Sequence, residues 1–491
     1  MEQAGTSGRD TKGVKGSSCQ TDIGVVKRET VIVYNNSKCL HGTSGSDFLR
    51  VSGAMRKGWE SMKTYAEMSK EELLKEKESL EQQFKEVEAK GLNLNMARGK
   101  PSEAQLNLSN GLMDVLNSDS YFNDETGTDC RNYGIGEGIP EAKRLMGAMS
   151  EVDPDDMIIF GNSSLNIMFD TVARSYSHGV CGNTPWCKLD NWKFLCPVPG
   201  YDRHFRITEF FGAEMINIPM TPDGPDMDLV EKYVNNDPSV KGIWCVPKYS
   251  NPQGYSYSDE TVRRFAALTP AAPDFRIYWD NAYSIHHLYD DAAHQDVILE
   301  ILDECRAAGH PDIVYKFIST SKVTFPGSGL AALASSKTNL DDIRKYMSVQ
   351  TIGHDKLNQL RHVRFFGNMA NMQAHMSRHA AILRPKFEAV EEIFEKELGG
   401  LGIGSWTKPN GGYFISFDSL DGCAKAIVAK CSDAGVKLTP AGATFPYGKD
   451  PHDSNIRIAP SFPPLEELKV AADVFTMAVK LVSIDKLLET R

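Results

Sequence analysis

The sequence has no excess of basic residues: 54 Lys and Arg stand against 65 Asp and Glu, for a formal charge of −11. The basic surface that neutralises a phosphate backbone is missing, so no nucleic-acid partner is expected. No apolar run approaches the roughly 20 residues that span a bilayer, and the N-terminus lacks the compact apolar stretch of a secretion signal. A cytoplasmic protein without a membrane partner is the expectation. The ten cysteines are scattered, with no CxxC pair, and the nearest two that share a loop are Cys181 and Cys187. That spacing suits free thiols in a reducing compartment better than disulfides or a metal site. His286-His287 with Asp290-Asp291 hints at a metal, but adjacent histidines on a strand point to opposite faces, and solvated polar residues suffice; no metal is expected. Short-period repeats are absent too. What remains is ordinary globular composition, 41% hydrophobic and 24% charged over 491 residues, enough for two or more domains.

Residues 1–61 are rich in Gly, Ser, Thr and Lys, with only short apolar pieces such as Val31-Ile32-Val33, and cannot bury a core of their own. We expect a disordered extension there. Asp10, Asp22, Glu29 and Asp47 argue against an acid-poor transit peptide, and translation is expected to begin at Met62, where folded-looking sequence starts. From Ser69 the chain reads Ser-Lys-Glu-Glu, a capping box with Glu72, followed by apolar Leu73, Leu80, Phe84 and Val87 and a stop at Gly91. This predicts a surface helix. Beyond it, short apolar runs alternate with helical segments, as in a parallel sheet covered by helices, with strands expected at 157–160, 193–196, 242–246, 275–279 and 314–318. A Met-, His- and Ala-rich helical stretch from about residue 360 opens what reads as a smaller second domain. The division expected is 62–106 as an N-terminal helix and joining segment, 107–355 as a large domain and 356–491 as a small α/β domain.

In open α/β sheets ligands sit beyond the carboxyl ends of the strands, so the residues after each apolar run are the candidates. Gly161-Asn162-Ser163-Ser164 leads into a helix, where amides and hydroxyls can cradle a phosphate, although a serine there is also a simple cap. Pro197-Val198-Pro199-Gly200-Tyr201 offers either a ring for stacking on a flat ligand or a packed turn tyrosine. Ser250-Asn251-Pro252-Gln253-Gly254 is a rigid turn able to fix an amide donor. Asp280-Asn281-Ala282-Tyr283 sets a carboxylate behind bulky apolar residues, where it needs a cationic partner. Ser319-Thr320-Ser321-Lys322 places an amine at the same sheet edge, where burial lowers a lysine pKa as Schiff-base chemistry requires.

Together these are the groups that bind an aromatic aldehyde phosphate. Over roughly residues 90 to 480 the chain resembles class I aminotransferases of the fold-type-I pyridoxal-phosphate family, and most of all a divergent bacterial subgroup related to aspartate aminotransferases. The resemblance implies a large domain with a mostly parallel sheet, helices on both faces and a smaller α/β domain. It implies pyridoxal 5′-phosphate held by Lys322 as an internal aldimine, with Lys322 also moving the proton at the substrate Cα. Asp280 would pair with the pyridine nitrogen, Tyr283 and Asn251 donate to the ring oxygen, and Tyr201 stack on the ring. Ser163, Ser164, Ser319 and Ser321 would hold the phosphate. Tyr133, in Tyr133-Gly134-Ile135-Gly136-Glu137-Gly138, would reach the phosphate of a neighbouring subunit, which implies a homodimer with shared active sites. Arg457, in Asn455-Ile456-Arg457-Ile458-Ala459, would grip the substrate α-carboxylate bidentately. Gly99, in Arg98-Gly99-Lys100-Pro101, would let backbone close over the substrate.

One departure stands out. The family usually has an arginine about eight residues after the lysine, paired with the phosphate; here Lys322 is followed by Val-Thr-Phe-Pro-Gly-Ser-Gly-Leu. Its replacement is either hydroxyls at Ser319, Ser321 and Ser328 or a cation such as Lys337. For the distal carboxylate of a dicarboxylic substrate, Arg98 and Lys100 are the candidates. The resemblance favours transfer from aspartate to 2-oxoglutarate by a ping-pong mechanism. Its rivals are another amino-acid donor, a lyase or decarboxylase on the same cofactor, and a cofactor-binding non-enzyme. A regulator fused to a helix-turn-helix is disfavoured by the polar first 61 residues.

Overall fold

The computed structural model describes residues 63–491; the expectations for residues 1–61 and for a start at Met62 lie outside it. Helix α1 (Lys70–Glu88) begins at the capping box read from the sequence: the Glu72 amide donates to the Ser69 hydroxyl at 3.2 Å, and Glu72 accepts from the Ser69 amide at 2.6 Å. Its apolar stripe of Leu73, Leu80, Phe84 and Val87 is buried. The stripe packs on the C-terminal part of the chain.

The strands in chain order are β1 (Leu94–Asn95), β2 (Met157–Ile159), β3 (Lys193–Val198), β4 (Glu214–Thr221), β5 (Gly224–Pro225), β6 (Val240–Cys245), β7 (Arg276–Asp280), β8 (Val314–Ser319), β9 (Ala331–Ala334), β10 (Gly404–Trp406), β11 (Ile415–Ser419), β12 (Val436–Lys437) and β13 (Asn455–Ile458). Eight form one sheet in the order β2-β9-β8-β7-β6-β3-β4-β5. Strands β4, β3, β6, β7 and β8 run parallel, while β9 is antiparallel to both β8 and β2. The carboxyl ends of β2, β3, β6, β7 and β8 therefore share one edge. All five expected strands exist; β4, β5 and β9 of this sheet were not expected. A three-stranded sheet β10-β11-β13 and a short β1-β12 pair complete the strands.

Each central strand divides its side chains between two cores. Ile159, Leu195, Ile243, Ile277 and Ile318 fall in one, and Ile158, Phe194, Trp244, Tyr278 and Phe317 in the other. This is the period-2 alternation of a strand buried on both faces, which is what a parallel sheet covered by helices requires. Six helices matter below: α1, α2 (Glu103–Asn107), α3 (Ser164–His178), α4 (Asp202–Phe210), α5 (Met369–Leu398) and α6 (Leu465–Leu488). A third core joins α1, α6 and the three-stranded sheet. Helix α5 links two of them: Met372 and Met376 pack against the large sheet, and Leu383 to Leu398 belong to the third core.

Candidate active site

A cavity of about 260 Å³ opens at the shared carboxyl edge, lined among others by Gly99, Ser163, Ser164, Tyr201, Asn251, Asp280, Tyr283, Ser319, Ser321, Lys322 and Phe414. Residues distant in sequence meet there because β2, β3, β6, β7 and β8 all end at that edge. Lys322 sits in the turn after β8, its ammonium nitrogen 4.7 Å from the centre of the Tyr283 ring. Burial lowers its pKa from the ordinary lysine value, and the Asp280 carboxylate opposes that shift.

Asp280 closes β7 and is 4% exposed. Its Oδ2 lies 2.9 Å from His204 Nε2, and its Oδ1 is buried with no hydrogen-bond partner. An unpaired buried carboxylate oxygen costs free energy unless something donates to it, and a protonated ring nitrogen can do so. His204, in the first turn of α4, was missed in the sequence. It supplies the partner that a buried aspartate needs, and it lies flat on Trp244 with ring centres 4.5 Å apart. The available signal was Tyr201-x-x-His204: three residues apart at a helix start, both side chains face the same edge.

Asn251 Oδ1 accepts from Arg457 Nη1 at 3.2 Å. Since a guanidinium only donates, the Asn251 amide nitrogen is left facing away from Arg457 as a free donor. Arg457, on β13, also donates to Asp202 at 2.9 Å, and its Nε is buried without a partner. Tyr201 sits beside Asp280, and burial together with that carboxylate pushes its phenol up to about 12. Tyr283 is shifted in the same direction, chiefly by burial. Ser163 occupies the N-cap of α3, yet its hydroxyl caps nothing. It lines the cavity instead, with Ser164 and the first turn of the helix, so the simple capping role is not the one it plays.

Other expectations meet a different structure. Lys337 lies beyond the opposite end of β9, because that strand runs antiparallel to β8, and it pairs with Asp341 at 2.5 Å; it cannot serve this edge. Ser328 does not line the cavity, and its hydroxyl is directed to Asn358 at 3.5 Å. Arg98 is exposed, and Lys100 rests over the Phe462 ring at 3.9 Å. Tyr133 is 78% exposed and does not reach the cavity of its own chain. Nor do His286 and His287 lie on a strand as solvated residues: they sit in the turn after β7, with His286 3% exposed between the Tyr283 and Tyr413 rings and His287 Nδ1 at 2.6 Å from the Tyr249 hydroxyl. Gly99 is the residue the site requires: a Cβ there would meet Phe414 Cζ at 2.3 Å.

With this geometry in place, comparison with known proteins is decisive. The family model described as aspartate amino-transferase matches residues 68–491. The chain belongs to the aspartate amino-transferase family. It is 42% identical over 409 residues to an aspartate aminotransferase of Corynebacterium glutamicum, covering 83% of this chain and 94% of that protein. The crystal structure of an aspartate transaminase from the same organism superposes with a TM-score of 0.84 at 41% identity, over 86% of this chain and 99% of that one. Thermus thermophilus LysN, an α-aminoadipate aminotransferase complexed with N-(5′-phosphopyridoxyl)-L-leucine, shares the fold at a TM-score of 0.63 and 17% identity, over 81% and 94% of the two chains. The aspartate amino-transferase family makes this protein a class I aminotransferase and implies pyridoxal phosphate. The residues fit that group: the unpartnered Asp280 Oδ1 matches a pyridinium N–H, the free Asn251 amide a ring oxygen, and the uncapped start of α3 a phosphate. Among the described lining residues Lys322 is the only basic side chain, and Ser163, Ser164, Ser319 and Ser321 supply hydroxyls.

Proposed function

We propose that this aminotransferase moves the amino group of aspartate to 2-oxoglutarate in a ping-pong cycle, with Lys322 as the cofactor's covalent anchor. The observation that carries the reading is the pairing, within one cavity, of the Lys322 amine with a buried Asp280 whose Oδ1 lacks a partner. Bound through Lys322, pyridoxal phosphate supplies an electron-withdrawing ring that stabilises negative charge on the substrate Cα.

The chain's own groups do the rest. Asp280, held by His204, keeps the ring nitrogen protonated. Tyr283 and Asn251 donate to the ring oxygen, Tyr201 covers the ring face, and Ser163, Ser164, Ser319 and Ser321 hold the phosphate. Arg457 orients the substrate by its α-carboxylate, using the Nε donor that protein leaves free. The Lys322 amine would be the base for the Cα proton; its lowered pKa keeps a larger neutral fraction available for that task. Gly99 brings the 98–101 segment against the cavity mouth, and Tyr133 serves the site of a second subunit in a homodimer. The choice of aspartate rests on the relatives at 41 and 42% identity.

Absorbance between about 320 and 450 nm tests these points together. Cofactor-replete wild type should show the band of the lysine-bound cofactor, lose it on addition of aspartate and regain it with 2-oxoglutarate, whereas Lys322→Ala should not turn over. A band untouched by aspartate refutes the donor; no band at all refutes the anchor.

A further inference from the structure

The Met- and His-rich start of α5 runs behind the Lys322 turn, and its histidines belong to no step above. His375 and His379 are each 1% exposed, and Gln105 in α2 is fully buried. Buried polar groups of this kind are costly unless each is satisfied, so their hydrogen bonds fix where the protons lie.

Gln105 Oε1 accepts from the Ser102 amide at 3.0 Å, which turns its Nε2 the other way. That nitrogen donates to the Tyr413 hydroxyl at 2.9 Å and to His379 Nδ1 at 3.2 Å, one proton each. His379 is thereby neutral, with its proton on Nε2. Burial lowers its pKa to about 3, in keeping with this. His375 Nδ1 accepts from Arg378 at 3.0 Å, so its proton also lies on Nε2, directed at the Val323 carbonyl 2.8 Å away. The His379 and His375 Nε2 atoms lie 3.0 Å apart, so neither accepts from the other and both N–H groups turn to this one carbonyl, which Ser109 Oγ reaches at 3.5 Å. Val323 follows Lys322 directly.

The chain of contacts thus runs from the segment just after Gly99, through Gln105, to two places that define the lysine. One is the backbone of its turn. The other is Tyr413, whose ring centre is 5.8 Å from Lys322 Nζ and which stacks on Tyr283. Because Gln105 donates to the Tyr413 oxygen, the phenol proton is directed elsewhere, away from Gln105.

We propose that Gln105 and Tyr413 are positioning residues for the Lys322 amine, coupling the mouth segment after Gly99 to the turn that carries the lysine through one buried hydrogen-bonded chain. This rests on the reading that Lys322 carries the cofactor. The titratable groups around the amine are Asp280 at the end of β7, Tyr283 and His286 after it, and Tyr413 stacked on Tyr283. Only Tyr413 is tied to Gln105.

The test is a pH titration of the visible band of cofactor-loaded protein in wild type, Gln105→Met, Tyr413→Phe and the double variant, with Ser69→Ala as control. Tyr413→Phe keeps the ring and the core. Both single variants should move the apparent pKa of the band in the same direction by about half a unit or more, and the double variant no further. Their kcat should fall about tenfold with KM for the amino acid nearly constant, since neither residue touches the substrate carboxylate. Ser69→Ala loosens the cap of α1, outside this chain of contacts, and should leave the band's pKa in place. Wild-type titration curves in both single variants, or fully additive shifts in the double, overturn the inference while leaving Lys322 as anchor. A wild-type protein without the band overturns the anchor, and the inference with it.

Discussion

A few atoms carry most of the meaning at the residue scale. Asp280 has one oxygen satisfied by His204 and one left unpaired in a buried setting. Replacing it with asparagine keeps the shape but removes the charge that holds a ring proton, so kcat of Asp280→Asn should fall at least about a hundredfold with KM much less affected. Steady-state kinetics on the variant checks this, and activity within tenfold of wild type refutes it. Gly99→Ala should act differently. Its methyl would lie within 2.3 Å of the Phe414 ring, so the mouth segment must shift, and KM should rise more than kcat falls. At this scale the strand-end residues were legible because a sheet topology gathers whatever follows its strands. His204 was not singled out: its spacing from Tyr201 sets it on the same face, but that spacing alone does not tell a histidine aimed at a carboxylate from one aimed at solvent. Lys337 misled for a related reason: only the antiparallel turn of β9 carries it to the far edge.

Elements differ in how openly the sequence announces them. Helix α1 was readable because its cap, stripe and stop agree, and that agreement is measurable. Ser69→Ala removes the bond accepted from the Glu72 amide and should cost about 1 kcal/mol in urea unfolding. Strand β9 was hidden because Ala331-Ala-Leu-Ala334 has the composition of a helix and becomes a strand only by insertion between β2 and β8. Strand β4 was hidden by its half-exposed face and an internal Pro219. Helix α5 carries a pH signature. Burial holds His379 down to about 3, below the ordinary 6.5, so the folded state binds fewer protons than the unfolded one between those values. Its contribution is complete above about pH 6.5 and is lost as the pH falls toward about 3. Between about pH 7 and about pH 5 the stability lost on acidification should therefore be up to about 2 kcal/mol smaller in His379→Leu than in wild type. Urea melts at the two pH values measure the difference, and an unchanged difference refutes it.

At the scale of the whole molecule, Tyr133 is the residue whose role the single chain leaves open. It is 78% exposed, within a run whose Gly134 and Gly138 adopt positive φ, and it does not approach its own cavity. A large aromatic so exposed is either idle or covered by another molecule, and the proposed homodimer with shared sites gives it a task. Subunit mixing separates the two. Lys322→Ala disables the site in its own subunit, and Tyr133→Ala disables the site in its partner. In a heterodimer of the two variants, one site combines an intact lysine with the other chain's intact tyrosine, and the second site carries both defects. Unfolding and refolding an equimolar mixture should yield about half heterodimers, each with one working site of two, and hence recover about one-quarter of wild-type activity from two nearly inactive parents. No recovery from two inactive parents, in a mixture whose mass confirms heterodimers, would mean that Tyr133 acts on the site of its own chain, whereas a fully active Tyr133→Ala parent would mean that Tyr133 lies outside the site.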